Sequence, residues 1–346
     1  MNIFYSMCGE GLGHCARSIA LMEKMPEYNF HVFTYGEAYQ FLLKNTPSNV
    51  ELYQIQGLNF VENQGQINIF ATIVDCLKFY FGGQLNENIQ LIQSKAQELK
   101  PILFLFDWEP TLSRVGRLLG IPSISIDSQH KFRFGDMHGC PLPLKIYGWL
   151  TGIFAGWMIP HADHYVISTY QSALLEKQPN ITLAQCFIRK EIENIEPSHG
   201  NHLLVYIRQK EIAHKLLSCL PSGFKVICYG VDLSEAFPWV QFKEKSYLEF
   251  VNDLASCKAV FSTAGIQLVG EAAFYGKPSF VVPIPGQYEQ LINGYDADRL
   301  MLGRFIELKN LNRETVIGFL KFYGEGIPNL CNGVQEAVNV ISNYIG

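Results

Sequence analysis

The chain has 346 residues, 48% of them hydrophobic and 17% charged, with a formal net charge of −5; that length accommodates two ordinary domains with sizeable cores. The mild negative charge argues against a nucleic-acid polyanion as general partner. Nine scattered cysteines without a C-x-x-C pair read as reduced thiols of a cytoplasmic protein, and there is neither a basic leader nor an apolar run of roughly eighteen residues, the length a membrane span requires.

Asn2–Met7 reads as a strand running into Cys8-Gly-Glu-Gly-Leu-Gly-His-Cys-Ala-Arg17 and a helix from Ser18 to Met25. Gly9, Gly11 and Gly13 allow close approach of backbone or ligand. A glycine loop after a first strand is a weak dinucleotide signal, and Glu37 is an unconvincing partner for it. His14 fits a general base, a contact that orients the loop or a donor phosphate, or a plain structural histidine. Arg17 would meet a phosphate or an acid of the loop, or stand in solvent.

Strands follow at Phe30–Tyr35 and Val50–Gln54, then mainly helix between Gly57 and Lys100. The buried strand Ile102–Phe106 ends in Asp107-Trp108-Glu109-Pro110, which puts carboxylates on the same edge as the glycine loop. Asp107 could do chemistry there or cap the helix Thr111–Leu119. After the strand Pro122–Ile126, Gln129 and His130 fit acceptor contacts. Asp136-x-His138-x-Cys140 and His161-x-x-His164 each lack a second pair, so no metal site is expected. Leu142–Pro160 is apolar on nearly all sides, which suits either an interfacial segment reaching a membrane surface or a buried helix. The scarcity of flanking cations favours burial.

A polar link at Glu196–Gly200 precedes strands at His202–Ile207 and Val226–Tyr229 and a helix at Tyr247–Ala255. Tyr229 and Phe242 are weak candidates to contact a nucleotide base. The strand Ala259–Ser262 then opens a strand–turn–helix–strand unit. Its turn, Thr263-Ala264-Gly265, precedes the helix Ile266–Tyr275, whose N-terminus can hold phosphate. Glu271 sits on an apolar stretch of that helix, where binding ribose hydroxyls would explain a carboxylate. After the strand Ser279–Pro283, Gln287, Glu289 and Gln290 are suited to sugar hydroxyls. Helices follow at Asn312–Tyr323 and Val334–Tyr344.

Ser262-Thr263-Ala264-Gly265, Glu271, Gly276-Lys277-Pro278, Pro283 and Glu289-Gln290-Leu291-Ile292-Asn293 together resemble the donor-nucleotide motif of GT-B glycosyltransferases. The likeness is strongest to the branch of the lipid-I N-acetylglucosaminyltransferase and the small MurG-like transferases. The Gly-x-Gly-His-x-x-Arg run resembles that branch's acceptor-side loop, and also a related nucleotide-sugar hydrolase. The resemblance implies an α/β fold of two Rossmann-like parallel-sheet domains facing across a cleft: an acceptor-side domain (1–195), a nucleotide-sugar domain (196–325) and a C-terminal helix (326–346) returning to the first.

It also implies an inverting, metal-independent hexosyl transfer from a nucleoside-diphosphate sugar, a UDP-sugar first, to a hydroxyl of a sugar or lipid-linked acceptor in cell-envelope glycan synthesis. The donor is a substrate, and no cofactor is expected. Thr263, Ala264, Gly265, Glu271, Gln287, Glu289, Gln290 and Asn293 would bind it, with Arg189, Arg208 and Lys277 as further cations. Asp107 matches an Asp of the MurG-like branch and joins His14 as a candidate base. The location expected is cytoplasmic; peripheral contact at the inner membrane face belongs to the alternative in which 142–160 is interfacial and not buried. A UDP-sugar hydrolase and a non-catalytic nucleotide-sugar sensor are the rival readings.

Overall fold

The structure is a computed structural model; it describes all residues except 59–61, 64–65, 68, 136, 138–139, 171–177, 245 and 324–325. The chain forms two compact units. The first comprises Met1–Val61, Asn68–Arg189 and Asn332–Gly346, and the second comprises Lys190–Cys331 with Glu62–Ile67.

The first unit is built on seven parallel strands: β1 (Asn2–Met7), β2 (Asn29–Thr34), β3 (Val50–Gln54), β4 (Leu103–Asp107), β5 (Ser123–Asp127), β6 (His164–Ser168) and β7 (Ile181–Ala184), in the order β3-β2-β1-β4-β5-β6-β7. Phe104, Leu105 and Phe106 of β4 are wholly buried, as expected for central parallel strands covered on both faces. The helices used below are α1 (Gly13–Glu23), α2 (Ile69–Phe81), α3 (Pro110–Leu119) and α4 (Leu142–Met158).

The second unit has six parallel strands, β8 (His202–Tyr206), β9 (Lys225–Tyr229), β10 (Val240–Lys243), β11 (Ala259–Ser262), β12 (Ser279–Val281) and β13 (Gly303–Phe305), in the order β10-β9-β8-β11-β12-β13. Its motif helices are α5 (Ile266–Phe274) and α6 (Tyr288–Arg299), and the last helix of the chain, α7 (Val334–Ile345), belongs to the first unit. There Val334, Ala337 and Ile341 join the core that holds Ile19 and Met22 of α1.

Each sheet therefore reverses direction once, between β1 and β4 in the first unit and between β8 and β11 in the second. At such a switch point the loops after the two central strands diverge and leave a crevice at the carboxyl edge. The segments following β1, β4, β8 and β11 are the glycine loop, Asp107–Glu109, Ile207–Gln209 and Thr263–Gly265. Both sites described next lie at these edges.

Three short strands, β7, β10 and β13, escape the sequence reading. β7, β10 and β13 occupy sheet edges, where burial is one-sided and the apolar pattern is weak. Helix α6 ends at Arg299. Met301 turns the chain at φ +60° and Gly303 opens a strand.

Candidate active site

The register of β1 and β4 pairs Met7 with Asp107, and Cys8 N donates to the Asp107 carbonyl at 2.9 Å. That pairing sets the Asp107 side chain against the first turn of α1. His14 and Arg17, three apart, share one helix face and converge on it. His14 Nδ1 lies 2.7 Å from Asp107 Oδ1, while Arg17 donates from Nε to Oδ2 and from Nη2 to Oδ1, each at 2.8 Å.

Asp107 and Arg17 are sealed, at 0% and 1% side-chain exposure, and His14 retains 14%. Burial works against a charged Arg17, but the Asp107 carboxylate outweighs it and raises the guanidinium pKa. An imidazole nitrogen 2.7 Å from a carboxylate oxygen requires a proton between them, so Nδ1–H donates to Asp107, and in the neutral ring the lone pair is on Nε2. The Arg17 Nη2 atom, 3.1 Å from Nδ1, is then a neighbour of that nitrogen and not its donor.

Two alternatives for these residues are thereby corrected. Arg17 is not a solvated arginine; its planar fork is spent bidentately on Asp107. Nor does Asp107 cap α3. Glu109 does so, its carboxylate accepting from Thr111 N at 3.0 Å and Leu112 N at 3.3 Å. Burial raises the Glu109 pKa against these hydrogen bonds. Between the two acids Trp108 adopts φ +56°, an uncommon conformation for a bulky residue that costs about 1–3 kcal/mol. The strain aims Asp107 and Glu109 at different helices. The glycine loop is shaped by packing: a Cβ on Gly9 would meet the Tyr35 carbonyl oxygen at 2.2 Å, and Gly11 has φ +74°.

Beside this dyad stands a second one. Asp127 Oδ2 meets His130 Nδ1 at 2.7 Å and accepts from Ser125 Oγ at 2.6 Å, while Oδ1 accepts from His130 N at 2.9 Å. His130 is fully buried, its ring 4.7 Å from Tyr165 and 5.9 Å from Phe134, and Gln129 is 4% exposed. His130 Nε2 has no protein partner among the described residues. Sequence reasoning passed over Asp127, although its spacing of three from His130 was a usable signal.

Burial alone would push Asp127 up, but His130 and the hydrogen bonds from it and Ser125 draw it down to about 2, from an ordinary value of 3.8. A depressed carboxyl stabilises the fold fully above pH ~4 and loses that contribution, about 2 kcal/mol, as pH falls toward 2. The urea midpoint of wild type should exceed that of Asp127→Asn by a constant margin above pH ~4, and the margin should shrink below it. A margin that grows on acidification would contradict this pairing.

In the second unit, the turn after β11 is held from inside. Gly265 N donates to the Thr263 carbonyl at 2.6 Å and Asn293 Nδ2, from α6, to the Ala264 carbonyl at 3.0 Å. Ala264 and Asn293 are buried, whereas Thr263 and Gly265 are partly open. Helical geometry leaves the first-turn N–H groups of α5 without intrahelical acceptors, and the N-cap residue, Gly265, has no side chain to cap them. Glu271, 2% exposed, accepts from Gln267 Nε2 at 3.0 Å, one helical turn earlier. Gln290 Oε1 accepts from Ile284 N at 2.9 Å and fixes the loop after β12. Gln287 and Glu289 flank it, half-buried. Ser262 Oγ and Gln287 Oε1 are buried polar atoms without a protein partner among the described residues.

Other expected contacts fall elsewhere. Lys277 is buried and donates to the Ser198 carbonyl, and burial lowers its pKa, so it braces the unit and is not open to a phosphate. Tyr229 is also buried, donating to Asp253 Oδ2 at 2.6 Å, and offers no face to a base; Phe242 is partly exposed. Arg189 is buried, and Arg208 stands exposed after β8. Asp136 and His138 lie outside the described residues. His164 Nε2 pairs with Thr182 Oγ1 at 2.9 Å and His161 with Asp163 at 3.5 Å. No group of three metal-ligating side chains is gathered among the described residues.

Two Rossmann-like sheets, one with a His–Asp–Arg cluster and one with a glycine-led helix N-terminus at its switch point, define a GT-B fold. The sequence profile of glycosyl transferase family 1 matches residues 1–323, and the chain belongs to that family. It is 24% identical over 338 residues to an uncharacterised glycosyltransferase of Methanosarcina acetivorans, covering 88% of this chain and 86% of that one. MurG of Acinetobacter baumannii superposes with a TM-score of 0.60 at 13% identity over 99% of both chains. LpCGTa, solved in complex with UDP, superposes with a TM-score of 0.63 at 13% identity over 100% of both chains. At such identities the structural likeness establishes the fold.

Proposed function

We propose that this glycosyltransferase moves a hexosyl group from a UDP-sugar to a hydroxyl acceptor with inversion and without a divalent metal, as a MurG-like enzyme of cell-envelope glycan synthesis. The observation that carries the reading is the His14–Asp107–Arg17 cluster. Asp107, neutralised by Arg17, holds His14 in the tautomer that leaves Nε2 basic at the open edge of the cluster. His14 is then the base and Asp107 the positioning residue behind it. His14 Nε2 takes the acceptor hydroxyl proton as the acceptor oxygen bonds to the anomeric carbon. The bond from that carbon to the phosphate oxygen breaks and the nucleoside diphosphate leaves.

On the second unit, the N-terminus of α5 with Thr263 and Gly265 meets the diphosphate charge, aided by Arg208. Glu271, oriented by Gln267, binds the ribose hydroxyls, and Ser262, Gln287 and Glu289 are available to the donor. Ala264, Gln290 and Asn293 shape the turn and loop. Gln129 and His130 form the wall behind the acceptor. The acceptor is a sugar or lipid-linked hydroxyl, presented at the inner membrane face.

The test is a thermal-shift panel of UDP, thymidine diphosphate, GDP, CMP and NAD. UDP should raise the melting temperature. Glu271→Ala should weaken UDP about 10- to 100-fold, the value of one or two hydrogen bonds to a charged group. Equal affinity of wild type and variant would remove the ribose assignment, and a response to NAD alone would overturn the donor class.

A further inference from the structure

Asp107 and Glu109 stand two residues apart, a spacing that puts side chains on one face of an extended strand. Yet they reach opposite faces of the first sheet. Asp107 meets α1, which packs in the core of Tyr5 and Met7. Glu109 caps α3, which packs in the core of Phe4 and Phe106. The left-handed backbone of Trp108, φ +56°, makes that division by breaking the strand alternation. A glycine would adopt this conformation without strain and would leave it as easily. A bulky residue stays in it only where its surroundings over-determine it.

The surroundings are two rings. The indole is 8% exposed. It meets His130 at 6.5 Å and 80° and Phe154 at 6.0 Å and 64°, both edge-to-face contacts. His130 is an immobile jaw: Asp127 fixes its Nδ1 and its backbone N–H, and Phe134 and Tyr165 pack its ring. Phe154 is carried by α4. That helix seats Gly152 where a Cβ would meet the Phe132 carbonyl oxygen at 2.5 Å. At its other end Tyr80 Oη of α2 donates to Met158 Sδ at 3.3 Å and Arg114 Nη1 of α3 to the Met158 carbonyl at 2.8 Å. The same seating corrects the expectation that 142–160 is buried: Gly148, Gly152 and Ala155 are packed, while Trp149 and Ile153 are 64% and 53% exposed. The packed face is marked by the spacing of its small residues, to which a count of flanking cations is blind.

We propose that Trp108 is a positioning residue of the reaction: its indole, locked between His130 and Phe154, holds the backbone conformer that keeps the Asp107 carboxylate against His14 Nδ1. The inference rests on the reading of His14 as the base and adds to it what holds that base's partner in place. It also gives the second dyad a role that needs no substrate contact, since His130 is fully buried. Asp127 and His130 brace the indole as Asp107 and Arg17 brace the His14 imidazole.

The test is heteronuclear NMR of the full chain with isotope-labelled histidine, which reads which nitrogen of the neutral His14 ring bears the proton. Turnover and UDP affinity are measured alongside, and His14→Ala assigns the signal. Wild type should show the Nδ1–H tautomer. Trp108→Ala should show a mixture of tautomers and lose about 10²-fold in kcat, the effect of a small misplacement near the chemistry, at unchanged UDP affinity. Trp108→Asn loses the same ring, but asparagine enters the left-handed region far more readily. It should therefore keep the Nδ1–H tautomer and turn over about tenfold faster than Trp108→Ala. Phe154→Ala removes one jaw from a partly exposed position and decides the matter if the Trp108 variants do not fold; it too should mix the tautomers. Wild-type tautomer and turnover in Trp108→Ala or in Phe154→Ala would overturn the proposal. So would equal losses in Trp108→Ala and Trp108→Asn, which would reduce the indole to packing. A fixed tautomer in wild type with no turnover of any nucleotide sugar would sink the transferase reading and leave the tautomer comparison to decide this one.

Discussion

Asp107→Asn should destabilise the first unit by about 3–5 kcal/mol, because it leaves the Arg17 guanidinium buried without a counter-charge. Both groups are essentially inaccessible and joined by two hydrogen bonds of 2.8 Å, so water cannot take over the lost pairing. Arg17→Met should cost a similar amount by orphaning the carboxylate. Replacing both, as Arg17→Met/Asp107→Leu, should recover most of the loss, since apolar groups of like volume tolerate such a site. Urea unfolding of the three variants measures this. The double variant separates stability from chemistry: it should fold well and still turn over about 10²- to 10⁴-fold more slowly than wild type, because nothing then holds the His14 tautomer. A stable double variant with normal turnover would remove Asp107 from the mechanism.

His14→Ala should lower kcat by about 10²- to 10⁴-fold, the usual value of a positioned general base, without weakening the donor. The two effects are separable because His14 belongs to the first unit and the proposed donor contacts to the second. His14 is partly exposed and caps nothing, so its removal should leave the melting temperature within a degree or two of wild type.

The architecture was legible in the sequence because central parallel strands are continuous apolar runs and ligand loops follow them at glycine and acid clusters. The candidate donor residues 262–293 could be read as one local unit, since β11, α5, β12 and α6 are consecutive. The His14–Asp107–Arg17 cluster could not. His14 and Asp107 are 93 positions apart and meet only because β4 crosses to lie beside β1. Asp107 therefore stood in the sequence as a rival base to His14 and appears in the fold as its hydrogen-bond partner. Glu109 was hidden for a related reason: the strained φ at Trp108 decides which of two nearby carboxylates reaches α3, and no pattern of residue types encodes that. The burial of Lys277 and Tyr229 likewise depends on Ser198 and Asp253, which the fold brings in from other elements.

The central claim is transfer driven by a base on the first unit, and following the label from a UDP-[14C]sugar into organic-extractable product, with membrane lipid extract as acceptor, tests it most directly. The account predicts that label enters the extract with wild-type protein and does so about 10²- to 10⁴-fold more slowly with His14→Ala, at unchanged UDP affinity. Label released as free sugar at the same rate with and without extract would contradict it and make the protein a hydrolase.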